Sequence, residues 1–177
     1  MTESLSQTAL ASLPRKAQRQ LDRGQVVLQG SDGQYRVLVL AGATYDIAWS
    51  VLTDYDNFDQ FLPTVVSSRV LERDGNRNVV EQVDRRRIMV LGKMESTVCT
   101  ENVEQDGQIN FRLLQGDLQT MEGYWRLDAL PERVLVTQQV TAAADLGPFS
   151  GMFYNLFADS LVQTMRAIRR EIERRSQ

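Results

Sequence analysis

The chain has 177 residues, with 20 lysines and arginines against 23 aspartates and glutamates, a formal charge of −3 and a pI near 5.1. That length suits one domain with a substantial core, and the acidic balance argues against nucleic acid as the main partner, because phosphate binding leaves a basic footprint. There is no histidine, and Cys99 is the single cysteine; this removes Ser-His and Cys-His dyads, the commonest metal ligand, and any disulfide or multi-cysteine metal site within one chain.

Residues 1–24 read as an N-terminal extension to one domain spanning residues 25–177. The extension is polar, but Leu5, Ala9, Leu13, Ala17 and Leu21 recur every four residues. Ser12 as a cap and Gly24 as a stop predict a short helix from Leu13 to about Leu21, with Pro14 in its first turn. A frayed terminal segment is the expectation for it, ahead of a helix that docks on a membrane or partner. It lacks the apolar core of a secretory signal, and no apolar run approaches the ~20 residues of a membrane span, so a cytoplasmic location is expected.

From Gln25 the pattern turns to strands: residues 25–29, a turn over Gly30 to Gly33, then residues 35–41, as a hairpin or as one strand broken by a loop. Thr44 caps a predicted short helix whose apolar stripe is Ile47, Ala48, Val51 and Leu52. A turn-rich segment follows, in which Tyr55, Phe58, Phe61 and Leu62 alternate with Asp54, Asp56 and Asp59. Between about Val65 and Asp145, turn signals at residues 74–76, 106–107, 116–117 and 130–132 divide the chain into a meander of about six antiparallel strands. One face of this meander is apolar, carrying Ile109, Phe111 and Leu113, then Met121, Trp125 and Leu127, then Val134, Val136, Gln138 and Val140. After Pro148 the period becomes helical to the end, with Phe153, Phe157, Leu161, Met165, Ile168 and Ile172 on one stripe. The expected fold is α+β: a curved antiparallel sheet of about seven strands around a long C-terminal helix, with short helices after the first strand region.

The order and the residues resemble the START-like, or SRPBCC, superfamily. The segments that carry the resemblance are 41–63 (AGATYDIAWSVLTDYDNFDQFLP), 65–73 (VVSSRVLER), 109–130 (INFRLLQGDLQTMEGYWRLDAL) and 147–173 (GPFSGMFYNLFADSLVQTMRAIRREIE). The nearest likeness is to the polyketide cyclase/dehydrase and lipid-transport group, which includes mitochondrial coenzyme-Q-binding proteins. The N-terminal extension, ending in Asp22-Arg23-Gly24, resembles those of cyanobacterial and chloroplast members. The resemblance implies a helix-grip fold with a deep cavity for a hydrophobic molecule, and a protein that binds or transfers a lipid, isoprenoid quinone or related compound without catalysis. A polyketide-type cyclase or dehydratase, and a protein-interaction module of a larger complex, are the alternatives.

Candidate ligand-binding residues follow from the apolar sheet face, the aromatic segment and the start of the long helix. Tyr55, Phe58, Phe61 and Leu62 are read either as a pocket mouth, with motion of residues 54–63 as its gate, or as packing of the loop onto the sheet. Trp49 is read first as a core anchor; Phe111, Met121 and Trp125 line the inner sheet face; Phe149, Met152, Phe153, Leu156 and Phe157 lie where the resemblance places the cavity lining. Gln138 stands out as an amide on an apolar face, where it needs a hydrogen-bond partner from the protein, water or a ligand. Glu81 and Arg85 reach inward if Val79 and Val83 mark the inner face. The three aspartates read as turn-forming residues rather than an acid–base pair. Arg85 to Arg87 and the arginines from Arg166 to Arg175 form a solvated face or a transient contact with a membrane surface or an acidic protein partner. No catalytic residue, metal or cofactor is expected.

Overall fold

A computed structural model describes residues 9–88 and 92–177; Leu5 of the extension and the side chains of Arg86 and Arg87 lie outside the described residues. Among the described residues eight strands form one antiparallel sheet: β1 (Val27–Ser31), β2 (Gln34–Ala41), β3 (Val65–Asp74), β4 (Arg77–Ile88), β5 (Gly92–Gln105), β6 (Gln108–Gln115), β7 (Thr120–Leu130) and β8 (Arg133–Ala143). Their spatial order is β1-β2-β8-β7-β6-β5-β4-β3, so the chain runs as a hairpin followed by a six-stranded meander whose last strand closes onto the hairpin. The sheet has one strand more than the roughly seven expected, because residues 27–41 make a true hairpin. Ser31 pairs with Gln34 across a two-residue turn in which Asp32 and Gly33 both have positive φ, 53° and 89°. That backbone twist matches the twist of the flanking strands, which is why Asp-Gly favours this turn.

Among the described residues the fold is completed by helices α1 (Arg15–Asp22), α2 (Tyr45–Leu52), α3 (Phe58–Phe61) and α4 (Ser150–Arg175), with 3₁₀ turns at Tyr55–Asn57 and Gly147–Phe149. At 26 residues α4 makes about seven turns. It buries Phe157, Leu161, Met165, Ile168 and Ile172 on the inner face of the sheet, chiefly across β2. Strand register sets that inner face in rows: Tyr35, Val140, Gly123 and Phe111 in one, Val37, Gln138, Trp125 and Ile109 in the next. Register shifts in β3 and between β5 and β6 add local twist to the far half of the sheet.

The extension differs from the frayed segment expected of it. Leu13, Ala17 and Leu21 are buried against Val27, Leu38, Leu40 and Leu135 on the outer face of β1, β2 and β8, forming a second apolar cluster separate from the main core. The four-residue spacing therefore finds its partner within the chain, and burial at about 1.5–3 kcal/mol for a full leucine side chain explains why the helix packs down. Helix α1 starts later than expected because Pro14 occupies its N-cap position, while the Ser12 hydroxyl donates to the Ala9 carbonyl instead of capping. Thr44 does stand at the N-cap of α2, but its side chain makes no capping hydrogen bond.

Strand β4 has the opposite parity to the one conditionally assigned to Glu81 and Arg85. Asn78 pairs with Asn102, which pairs with Phe111, so Asn78, Val80, Gln82 and Asp84 face inward. Glu81 instead pairs with Arg69 at 2.7 Å, and Arg85 with Glu95 at 3.0 Å, on the outer face. Val79 and Val80 are adjacent and both apolar, so alternation alone fits either register, and a shift of one residue exchanges the faces.

Candidate functional site

Helix α2, the 54–63 segment, the inner sheet face and the first half of α4 converge on one apolar surface. Trp49, Phe61, Leu62, Met121, Trp125 and Phe153 are half-buried there, packed against a main core that contains Phe111 and Phe157. Trp49 stacks on Tyr45, with centroids 6.0 Å apart and planes 12° from parallel. Phe153 stacks on Phe157 at 5.7 Å, and Phe157 meets Tyr35 at 6.0 Å. Farther along α4 the stripe changes: Leu161, Met165, Ile168 and Ile172 are all buried, Met165 and Ile172 completely. The apolar surface is thus sealed under the C-terminal half of α4 and left partly accessible at its aromatic half. Leu118 also joins this surface; sequence reading missed it, although it is the lone apolar residue in the polar turn between β6 and β7.

Phe149, Met152 and Leu156 are not part of that packed set. They are 63%, 50% and 40% exposed, and with the exposed Leu146 they form an apolar stretch at the start of α4. Phe58 lies between the surface and the loop, edge-to-face with both Tyr55 and Phe61 at 5.7 Å. Tyr55 is turned into the protein, only 3% exposed, and its hydroxyl donates to Glu104 Oε1 at 3.1 Å. Burial, reinforced by the Glu104 carboxylate, pushes its phenol far above the ordinary value.

The aspartates shape and tether the loop, each in its own way. Asp54 accepts from Asn57 at 2.7 Å and from Arg175 of α4 at 2.7 Å; Asp56 accepts from the Val70 amide of the edge strand β3 at 2.8 Å and from Arg73 at 2.9 Å; Asp59 accepts from Gln60 at 2.9 Å. Arg175 also donates to Glu171 at 2.7 Å and lies over the Phe61 ring at 5.7 Å, which ties loop and helix together. Residues 54–57 are therefore held by hydrogen bonds and ion pairs, and residues 58–62 by aromatic and apolar packing.

These ion pairs make stability acid-sensitive. Hydrogen bonds from Arg112 and Arg77 hold the Glu101 carboxyl at about 2, and a hydrogen bond from Arg174, supported against burial by one from Arg175, holds Glu171 at about 2. Burial pushes Asp54 up, but the hydrogen bonds from Asn57 and Arg175 outweigh it and leave it below the usual range. A depressed carboxyl contributes its full stabilisation above the unfolded value, 4.5 for glutamate, and loses it as pH falls through the folded one. Urea midpoints are accordingly expected to fall as pH drops from 4.5 toward 2, and Glu171→Gln to flatten part of that slope. A midpoint independent of pH over that window would contradict the pairing.

The inner face also carries a polar network that the alternating pattern does not reveal. Glu104 accepts from Tyr55 and, at 2.9 Å, from Asn78; the Ser68 hydroxyl donates to the Tyr55 carbonyl; Asn102 donates to the Thr100 hydroxyl at 3.0 Å; Thr64 donates to Asp84 at 2.7 Å. Asn78, Asn102, Thr100 and Ser68 are all buried. Polar residues at Asn78, Gln82 and Asp84 of β4 and at Thr100, Asn102 and Glu104 of β5 share one parity with the apolar Val80 and Val98, and only the pairing register shows that these positions face inward. Gln138 is 7% exposed on the same face, and its Oε1 is buried without a hydrogen-bond partner. Cys99 faces outward beside Glu81, and burial pushes its thiol up, away from the reactive thiolate.

A hollow of about 370 Å³ lies on the outer face of the sheet, bordered by Glu101, Arg112, Glu122, Tyr124, Gln139 and Thr141. Its side chains bond to one another, Arg112 to Glu101 at 2.6 Å and Tyr124 to Gln139 at 2.9 Å. Its polar side chains are thus satisfied by one another, and Val103, Phe111 and Gly123 complete a mixed lining. No helix among the described residues is long and apolar enough to cross a membrane.

Comparison with known proteins gives the same architecture. The sequence profile of the family described as polyketide cyclase / dehydrase and lipid transport matches residues 42–168. No curated protein sequence matches the chain. Among solved structures, the Zhui aromatase/cyclase from Streptomyces sp. R1128 is 20% identical, with 81% of this chain and 95% of that one covered and a TM-score of 0.69. A STAR-related lipid transfer protein from Xanthomonas axonopodis is 16% identical over 83% and 92% of the two chains, with a TM-score of 0.65. A START superfamily protein from Mycobacterium smegmatis is 19% identical over 85% and 99%, with a TM-score of 0.66. At these identities the likeness establishes a START-like helix-grip fold.

Proposed function

The chain belongs to the polyketide cyclase/dehydrase and lipid transport family, and from that membership we propose that it binds or transfers a hydrophobic small molecule, a lipid, isoprenoid quinone or related compound, without chemical change. The ligand lies between the inner sheet face and the aromatic half of α4, in a binding domain over residues 25–177 that carries α1 as an extension on its outer face. The observation that supports this reading is the contrast along α4: its aliphatic half is sealed, while Trp49, Phe61, Leu62, Met121, Trp125 and Phe153 keep accessible apolar surface in one connected cluster. Apolar area of that kind drives binding at about 25 cal/mol per Å² removed from water. Phe149, Met152 and Leu156 extend the apolar surface outward at the same end of α4, and residues 58–63 form the gate.

The network geometry weighs against a cyclase or dehydratase. The inward carboxylate Glu104 is engaged by Tyr55 and Asn78, and a phenol whose proton is held so firmly is a poor acid at neutral pH. Organic extraction of the purified protein followed by mass spectrometry tests the proposal. Recovery of a stoichiometric apolar compound is the expected result. Repeated extraction of nothing apolar, together with no binding of quinones or fatty acids, would refute it.

A further inference from the structure

The inner face is mostly satisfied where it is polar: Asn78 has Glu104, Asn102 has Thr100, Ser68 has the Tyr55 carbonyl and Thr64 has Asp84. Gln138 is different. It lies in the middle of the sheet between Trp125 of β7 and Val37 of β2, with Val136 and Val140 on either side along its own strand. Three of these neighbours are valines and the fourth, Trp125, does not donate to it; the residue is 7% exposed, and Oε1 has no partner. A valine or leucine would pack at such a position without leaving an acceptor unsatisfied, so the amide is a standing cost to the fold. Trp125, directly across the strand pair, retains accessible surface on the same face.

We propose that Gln138 is the polar anchor of the apolar site and that the ligand is an apolar molecule bearing a hydroxyl or N–H group, which donates to Gln138 Oε1. The inference rests on the binding function proposed above and narrows it. A group that donates to Oε1 favours a phenol, an alcohol such as a sterol, or a hydroquinone; a fully oxidised quinone or a methyl ether offers acceptors only, which can pair with the Gln138 Nε2–H but leave Oε1 unsatisfied. Selectivity arises because a ligand lacking the donor leaves the buried oxygen as unsatisfied as before.

The test is a fluorescence titration of the whole chain with two probes of nearly equal shape, 2-naphthol, which has the donor, and 2-methoxynaphthalene, which does not. Wild type is expected to bind 2-naphthol about tenfold more tightly, the worth of one neutral hydrogen bond. Gln138→Leu is expected to abolish that preference while binding the ether at least as well as wild type does. Gln138→Met, nearly equal in volume, serves if the leucine variant does not unfold cooperatively. Equal binding of the two probes by wild type, or an unchanged preference in the variants, overturns the anchor and leaves the apolar site standing. Failure of wild type to bind either probe overturns the site itself, and the anchor with it.

Discussion

Gly123→Ala should lower the stability of the folded protein by about 3 kcal/mol or more and its thermal midpoint by roughly 10 °C. Gly123 lies on the inner face of β7, paired with Val140 of β8 and Phe111 of β6. A Cβ at this position would run into the Gln139 carbonyl oxygen and crowd the Val140 backbone. Because the obstacle is backbone in a paired strand, no rotamer change relieves it; β7 and β8 must move apart, with strain reaching the Trp125–Gln138 pair next along the ladder. Circular dichroism during heating measures the effect. A midpoint within about 2 °C of wild type, the shift of less than about 1 kcal/mol, would show that the strands separate at little cost and that the close approach is not a constraint of the fold.

Phe153→Asp should weaken binding of the neutral probe 2-methoxynaphthalene on the order of 100-fold while leaving the protein folded. The side chain is half-buried on the apolar surface, stacked on Phe157, in the first turn of α4. A carboxylate there loses the ring area offered to the ligand and must either keep its water or be stripped of it, and both outcomes oppose apolar occupancy. Near a helix N-terminus the negative charge suits the helix dipole, so the variant separates binding from folding better than a change in the sealed half would. Phe153→Leu, which keeps the surface apolar, should alter affinity only a few-fold. Undiminished binding by a cooperatively folding aspartate variant would move the ligand away from the aromatic half of α4.

Local pattern carried most of the architecture. The period of two in residues 109–130 and 133–143 identified the strands and their inner faces, and the spacing of Phe153 to Ile172 identified the long helix, because each signal repeats many times and its parity is unambiguous. Legibility failed where one residue could tip the reading. In β4 the adjacent Val79 and Val80 fit both parities, so the buried Asn78 and Asn102 network went unread and Glu81 and Arg85 were conditionally turned inward. In the 54–63 segment the residue types announced a loop rich in aromatics, yet nothing local distinguishes Tyr55, which is buried on Glu104, from Phe58 and Phe61, which remain partly accessible.

A resemblance to a family supplied the helix-grip arrangement and the start of α4 as a ligand-facing element, whereas the sequence by itself determined the fold class, the apolar inner face of the sheet and the amide set among valines at position 138. The latter depend on periodicity, turn chemistry and residue type, which act over a few neighbours in the chain. Tertiary structure alone decided that the extension covers the outer face through Leu13, Ala17 and Leu21, that Arg175 ties Asp54 and Phe61 to the end of α4, and that Gln138 Oε1 has no partner. Each joins groups far apart in the chain, and whether a polar atom is satisfied is a property of everything packed around it.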